Sequence, residues 1–416
     1  MRTYVAGGVA AVLLAAPTVA RAQEPTNPDT EIGDKHDAQQ KRDDLGASAP
    51  ARPEVDAASE APRKEDEGDP DHKFTVSGYI ESFYQWNFNV PGNGISAYRG
   101  YDNRHNTFTL QNAVIDVGFR AKDVLARVAL QVGHAPAVIY QDEPDKAATE
   151  SANASNGELW RYLQRASFGW QANSVVLIEA GLFPSVTGVE STAVKENWNW
   201  SRSNASVRLP NYHAGVRGTF DLNKRVDAFV AVTNGWNNVV DNNDEKSFIA
   251  GVHYKYEKKL TLSGSYFGGI ERDAGAAEGR AWRHGIETWA QWDATEALSV
   301  AADGSSGFER TRFGTAWWAS AAAYVRVKLV EWLSVAARAD RTWEDTASSA
   351  LGTSDPILYP AKHVTSGTGT VDFHPVKGFS TRLEYRHDES NAPLYYRAET
   401  TARYQNTLLL GATAWF

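Results

Sequence analysis

The 416-residue chain contains no cysteine and a single methionine. Without cysteine there can be no disulfide framework, no thiolate metal site and no lipid-modified cysteine after an export signal. Its mean hydropathy of −0.46 leaves no room for several membrane helices, because each would need about 20 largely apolar residues. Recognisable chemistry is missing too. No G-x-S-x-G turn, H-x-x-x-H pair or phosphate-binding glycine loop occurs, and the ten histidines are scattered. No cofactor, no metal, no nucleic acid and no catalytic residue is implied.

The one long apolar run is N-terminal. Arg2 is followed by an apolar core from Tyr4 to Ala20 and by Ala20-Arg21-Ala22, a pattern that predicts a signal peptide over residues 1–22 with cleavage before Gln23. Residues 23–72 are expected to form a disordered acidic linker. From Glu24 to Asp71 there are 15 acids, 6 bases and almost no aromatic or aliphatic side chains, too little apolar surface to offset ordering entropy. Beyond it the chain carries 36 acids and 34 bases, so the acidic net charge belongs to the linker.

From Lys73 onward the chain is rich in Gly, Trp and Tyr and alternates in polarity. Phe74, Val76, Ile80, Tyr84, Trp86 and Phe88 share one strand face; Lys73, Thr75, Ser77, Glu81, Gln85 and Asn87 share the other. At the far end Tyr404, Leu408, Leu410, Ala412, Ala414 and Phe416 again make an apolar face, opposite Gln405, Thr407, Gly411 and Thr413. Such strands recur to a total of about sixteen, joined by short turns at Asn173, Asn223-Lys224 and Lys258-Lys259 and, in strict alternation, by long polar loops. This predicts an all-β, transmembrane, antiparallel up-and-down barrel over residues 73–416, apolar outside and polar within, with both ends of the barrel on the short-turn side. In this reading one strand runs near 297–305 and the next near 315–329, with a loop between them.

Four stretches carry a resemblance: GYIESFYQWNFN at 78–89, GYDNRHNTFTLQNAVIDV at 100–117, EAGLFPSVTGVE at 179–190 and NWNWSRS at 197–203. They resemble the OmpL-like β-barrel porins of Gram-negative bacteria. The resemblance implies an outer-membrane, water-filled channel for passive diffusion of small hydrophilic solutes and ions, and brings no substrate with it. It also implies outer-membrane lipid, barrel-assembly machinery and periplasmic chaperones as partners, with Phe416 as the aromatic assembly signal and the linker in the periplasm. General porins are similar in folding a third loop into the lumen, and those of sixteen strands are commonly trimers, so a homotrimer is an expectation with no face assigned to it.

The third outer loop, Pro184 to Val207, is therefore the expected constriction, with Glu190, Lys195, Glu196 and Arg202 as its charges. Trp198 and Trp200 could instead pack the loop to the wall. By parity Asp116, Arg120, Arg127, Glu179, Arg217, Lys255, Arg326, Arg338, Arg382 and Arg386 line the lumen, acids and bases together. Two alternatives stand beside a weakly selective porin: a channel specific for a sugar or an anion, with Trp289 and Trp318 as a track, and a plugged barrel with a structural or adhesive role.

Overall fold

The computed structural model describes residues 72–141, 143 and 157–416. The signal peptide and all but the last residue of the linker lie outside them. In order come β1 (His72–Asn87), β2 (Phe108–Ala121), β3 (Val124–Val132), β4 (Leu163–Gln171), β5 (Val176–Pro184), β6 (Tyr212–Asn223), β7 (Val226–Thr233) and β8 (Ser247–Tyr256). They continue with β9 (Leu260–Ile270), β10 (Trp282–Asp293), β11 (Leu298–Thr311), β12 (Gly314–Val330), β13 (Leu333–Asp345), β16 (His363–Val376), β17 (Phe379–Ser390) and β20 (Tyr404–Trp415). These sixteen close an antiparallel barrel in chain order. Two hairpins, β14 (Ser348–Ser349) with β15 (Gly352–Thr353) and β18 (Tyr395–Arg397) with β19 (Thr400–Ala402), lie in the last two outer loops. Short helices α1 (His134–Ile139) and α2 (Gly157–Trp160) lie in the second outer loop.

Closure comes from β1 pairing with β20, from Tyr79 opposite Trp415 to Asn87 opposite Thr407. It leaves no sheet edge to pair elsewhere. The predicted faces are inverted relative to a soluble protein. Phe74, Ile80, Phe108, Phe168 and Leu410 stand exposed on the outside, while Glu81, Gln85, Gln405 and Arg386 are buried inside. A continuous apolar outer belt is stable against lipid and not against water. No helix among the described residues is long and apolar enough to cross a membrane, so the strands do the crossing.

Turn chemistry fixes the short-turn rim. Asn173 Oδ1 accepts from the N–H of Val175 (2.8 Å) and Val176 (3.0 Å), and Asn223 Oδ1 from Arg225 (2.9 Å) and Val226 (3.1 Å). Each asparagine copies a backbone turn with its side chain, reversing the chain in two or three residues.

The strict alternation of short turns and long loops fails at one place. β11 runs on to Thr311, so only Arg312 and Phe313 link it to β12 at the long-loop rim. Ser306 and Gly307, beyond the expected end of the strand at 305, are strand and not loop, because β12 supplies the bulk that they lack. Trp318, opposite Gly307, occupies the space where a Cβ on Gly307 would stand. A Gly307→Val barrel should therefore be destabilised, by about 1–3 kcal/mol as for other overpacked interiors. Heat-modifiable gel migration checks this, the variant unfolding at a lower temperature than the parent.

Candidate functional site: the lumen and its third loop

A loop entering a barrel leaves water and must find partners for its backbone N–H and C=O groups. The third outer loop, L3, spans residues 185–211 between β5 and β6, and most of it is buried: Val194, Trp200, Ser203, Asn204 and Ala205 have almost no exposed surface. Wall carboxylates take its N–H groups. Glu384 accepts from Trp200 N (2.5 Å) and Ser201 N (2.9 Å), Glu81 from Val194 N (2.5 Å), and Asp340 from Asn204 N (3.0 Å). Wall arginines take its carbonyls. Arg338 donates to Ser201 O, Arg382 to Val194 O and Arg386 to Arg202 O, over 2.5–2.7 Å. Charge-assisted bonds of this kind are short and strong, and seven of them, from six wall residues, fix the path of the loop.

Apolar contacts complete the attachment. Trp200 packs with Phe83, Val194 and Leu409, and its Nε1 donates to Gln111. Gly411 makes this possible, since a Cβ there would overlap the Trp200 ring. Trp198 packs with Ala301, Ala322 and Tyr324 beneath the guanidinium of Arg326. The inward loop and the wall-packing tryptophans, set against each other as alternatives, thus occur together.

The four expected constriction residues border one cavity of about 150 Å³ between L3 and the wall on the β1–β5 side, where Tyr79, Asp116 and Gln164 also line it. Lys195 and Glu196 form an ion pair, and Lys195 Nζ sits 6.0 Å from the centre of the Tyr79 ring. Glu190 is bridged to Arg338 at 3.0 Å, and Arg202 donates to the carbonyls of Trp200 and Thr192. At the outer mouth Arg202 lies over the ring of Tyr101, in the first outer loop. Burial pushes the Tyr101 hydroxyl up to about 12, so it stays protonated and donates to Asn211. Its neighbour Asp102 is buried as well, which alone would raise its carboxyl, but Arg99 beside it holds the group below the usual range.

Each of the ten wall residues chosen by parity faces the interior, in different company. Asp116 pairs with Arg127 (2.7 Å) beside the cavity, Glu179 lies between Arg165 and Arg217, and Lys255 pairs with Asp227 (2.7 Å). Arg120 lies near the short-turn rim, opposite Lys73. Arg338, Arg382 and Arg386 are covered by L3, and Arg326 by Trp198, so these four hold the loop and do not border the cavity. The partners missed from sequence, Glu81, Asp340 and Glu384, sit on the same polar faces as the arginines that were named. That shared parity was the available signal.

A second departure concerns the opposite wall. Phe229, Ile249 and Phe267 point inward, where polar residues were expected, and with Trp318 pack against Val186 and Leu209 of L3, Leu358 and Tyr359 of the seventh loop, and Leu394 and Tyr395 of the last. This part of the interior is filled by loops. Trp318, fully buried there, offers no face to a passing solute.

The family model described as "Putative beta-barrel porin-2, OmpL-like" matches residues 73–416. In fold the chain is similar to the outer membrane channel DcaP of Acinetobacter baumannii (TM-score 0.54, 10% identity, covering 83% of this chain and 97% of that one). It is similar also to the trimer form of OmpT of Vibrio cholerae (0.54, 8%, 83% and 99%) and to an anion-selective porin from Comamonas acidovorans (0.53, 9%, 83% and 100%). At these identities the likeness is one of fold. No curated protein matches the sequence.

Removing one attachment should release the loop. Glu384→Ala leaves the N–H groups of Trp200 and Ser201 without acceptors, at about 1–3 kcal/mol each. The expected outcome is a larger single-channel conductance in planar bilayers from a barrel that still folds; an unchanged conductance would show that the loop does not depend on this carboxylate.

Proposed function

Since the chain belongs to the OmpL-like family of outer-membrane β-barrel porins, channels for passive diffusion, we propose that its solutes pass between L3 and the wall of β1–β5. The observation that carries this reading is the gathering of both charge signs at one cavity. Glu190, Glu196 and Asp116 face Lys195 and Arg202 there, with Arg127 behind Asp116. Opposed charges across a narrow passage order water and screen solutes, while selectivity follows the sign of the net local charge. Three acids against three bases make a weakly selective, non-catalytic pore for small hydrophilic solutes. The filled opposite wall restricts the passage without abolishing it, which favours a narrow porin over a plugged adhesive barrel, and the burial of Trp318 removes half of the proposed sugar track.

In this reading the short-turn rim faces the periplasm, together with the acidic linker, and the loops face outward. Phe416, whose backbone pairs with Gly78 and whose ring stands on the lipid face, is the assembly signal read by the barrel-assembly machinery. A homotrimer is the proposed assembly, as in the trimer form of OmpT.

Reconstituted protein should give discrete, small conductance steps with a cation-to-anion permeability ratio near one. Lys195→Glu, by reversing one charge at the cavity, should shift the reversal potential in a salt gradient toward cation preference by roughly two- to fivefold in permeability ratio. Absence of steps rules out the channel path, and an unmoved reversal potential removes Lys195 from it.

A further inference from the structure

Most carboxylates inside the barrel are answered by cations or by a full set of donors. Glu309 meets Arg272 and Arg283, Asp388 meets Arg99 and Arg386, and Glu384 meets two backbone N–H groups and Thr370. Glu287 on β10 and Asp303 on β11 differ. They are 1% and 4% exposed, repel one another electrostatically, and have no ion-pair partner among the described residues. Each uses a single side-chain oxygen. Glu287 Oε2 accepts from Ser265 Oγ (3.1 Å), and Asp303 Oδ2 accepts from Ser206 Oγ of L3 (3.1 Å) and faces the N–H of Val189 (3.5 Å). Glu287 Oε1 and Asp303 Oδ1 have no partner within hydrogen-bond distance, and the backbone N–H of Gly188 in L3 lies toward Glu287.

A separate observation points to what lies between them. Ser305 is directly opposite Glu287 in the β10–β11 register and two residues from Asp303 on the same inward face. It is 5% exposed, and its hydroxyl has no partner either. Three oxygens from neighbouring positions of one inward face are thus buried and without a hydrogen-bond partner. Diagonal neighbours of a β-ladder stand about 7–8 Å apart at Cα, a span that two carboxylates can close around an ion. Buried charges without counter-charge are unfavourable, so the pair must hold either a shared proton or a cation. A proton would leave the serine hydroxyl idle, whereas a cation uses it.

We propose that Glu287, Asp303 and Ser305 form a lumenal site for a hard divalent cation, and that the cation ties the ends of L3, through Val189 and Ser206, to β10 and β11. All the donors are oxygen, and no group of three His, Asp or Glu side chains suited to a metal converges among the described residues. That donor set suits calcium or magnesium, with water completing the shell, and not a transition metal. The inference does not rest on the solute path proposed above, because its readouts are binding and stability.

The test uses the purified, refolded full chain in detergent after chelation, with calcium chloride as the probe. Calorimetric titration should show about one calcium bound per barrel, and calcium should raise the unfolding temperature. Both effects should be lost in Glu287→Gln/Asp303→Asn, a variant that keeps the shape while removing the repulsion, and whose folding is confirmed by heat-modifiable migration. No calcium binding by the parent barrel overturns the proposal, as does equal binding by the folded double variant. A barrel indifferent to calcium but destabilised as pH is raised also overturns it, and assigns the pair a shared proton.

Discussion

A chain segment drawn into the middle of a barrel cannot leave its backbone unsatisfied, and here the wall satisfies it with ions. Glu81, Asp340 and Glu384 accept the N–H groups of L3, while Arg338, Arg382 and Arg386 donate to its carbonyls. Rotating the loop off this wall would strip six buried charged groups of these hydrogen bonds or expose the lumen core around Trp200, and either change is costly. The position of the passage follows. With L3 held to β13, β16, β17, β20 and the Glu81–Phe83 part of β1, the space left over lies beside β1–β5 around Tyr79, Asp116 and Gln164.

The outside of the barrel obeys a different solvent. Lipid supplies no hydrogen bonds, so the strands close on themselves and place Phe, Val, Leu and Ile outward at every second residue. The same alternation sends Glu, Arg, Gln and Ser inward, where they are available for binding loops. One sequence period thus produces both the membrane belt and the surface on which L3 is held.

Much of this was legible beforehand. The faces of β1 and β20 could be read residue by residue, because burial against lipid leaves the period of two undisturbed. Where loops fill the interior, the period carries less information: Phe229, Ile249, Phe267 and Trp318 break the polar face because their partners come from three different loops, at 186 and 209, 358–359 and 394–395. Ser306 and Gly307 fell outside the expected strand for a similar reason, since the side chain that fills the space at Gly307, Trp318, belongs to the next strand. Nor could parity say whether an inward arginine meets water or a carbonyl. Arg127 pairs with Asp116 of the cavity wall, whereas Arg386 is spent on L3, yet both occupy the same kind of position.

The chain's lack of cysteine makes the central claim directly measurable. Asn199 Nδ2 donates to Thr370 Oγ1 across 2.7 Å, a contact that exists only if L3 lies against β16 inside the barrel. In a chain carrying Asn199→Cys and Thr370→Cys, mild oxidation of the folded protein should give a disulfide in high yield while single-channel conductance stays at the unmodified value, because the bond fixes the loop where it already rests. Failure of the folded barrel to form that bond, or loss of conductance when it forms, would contradict the account.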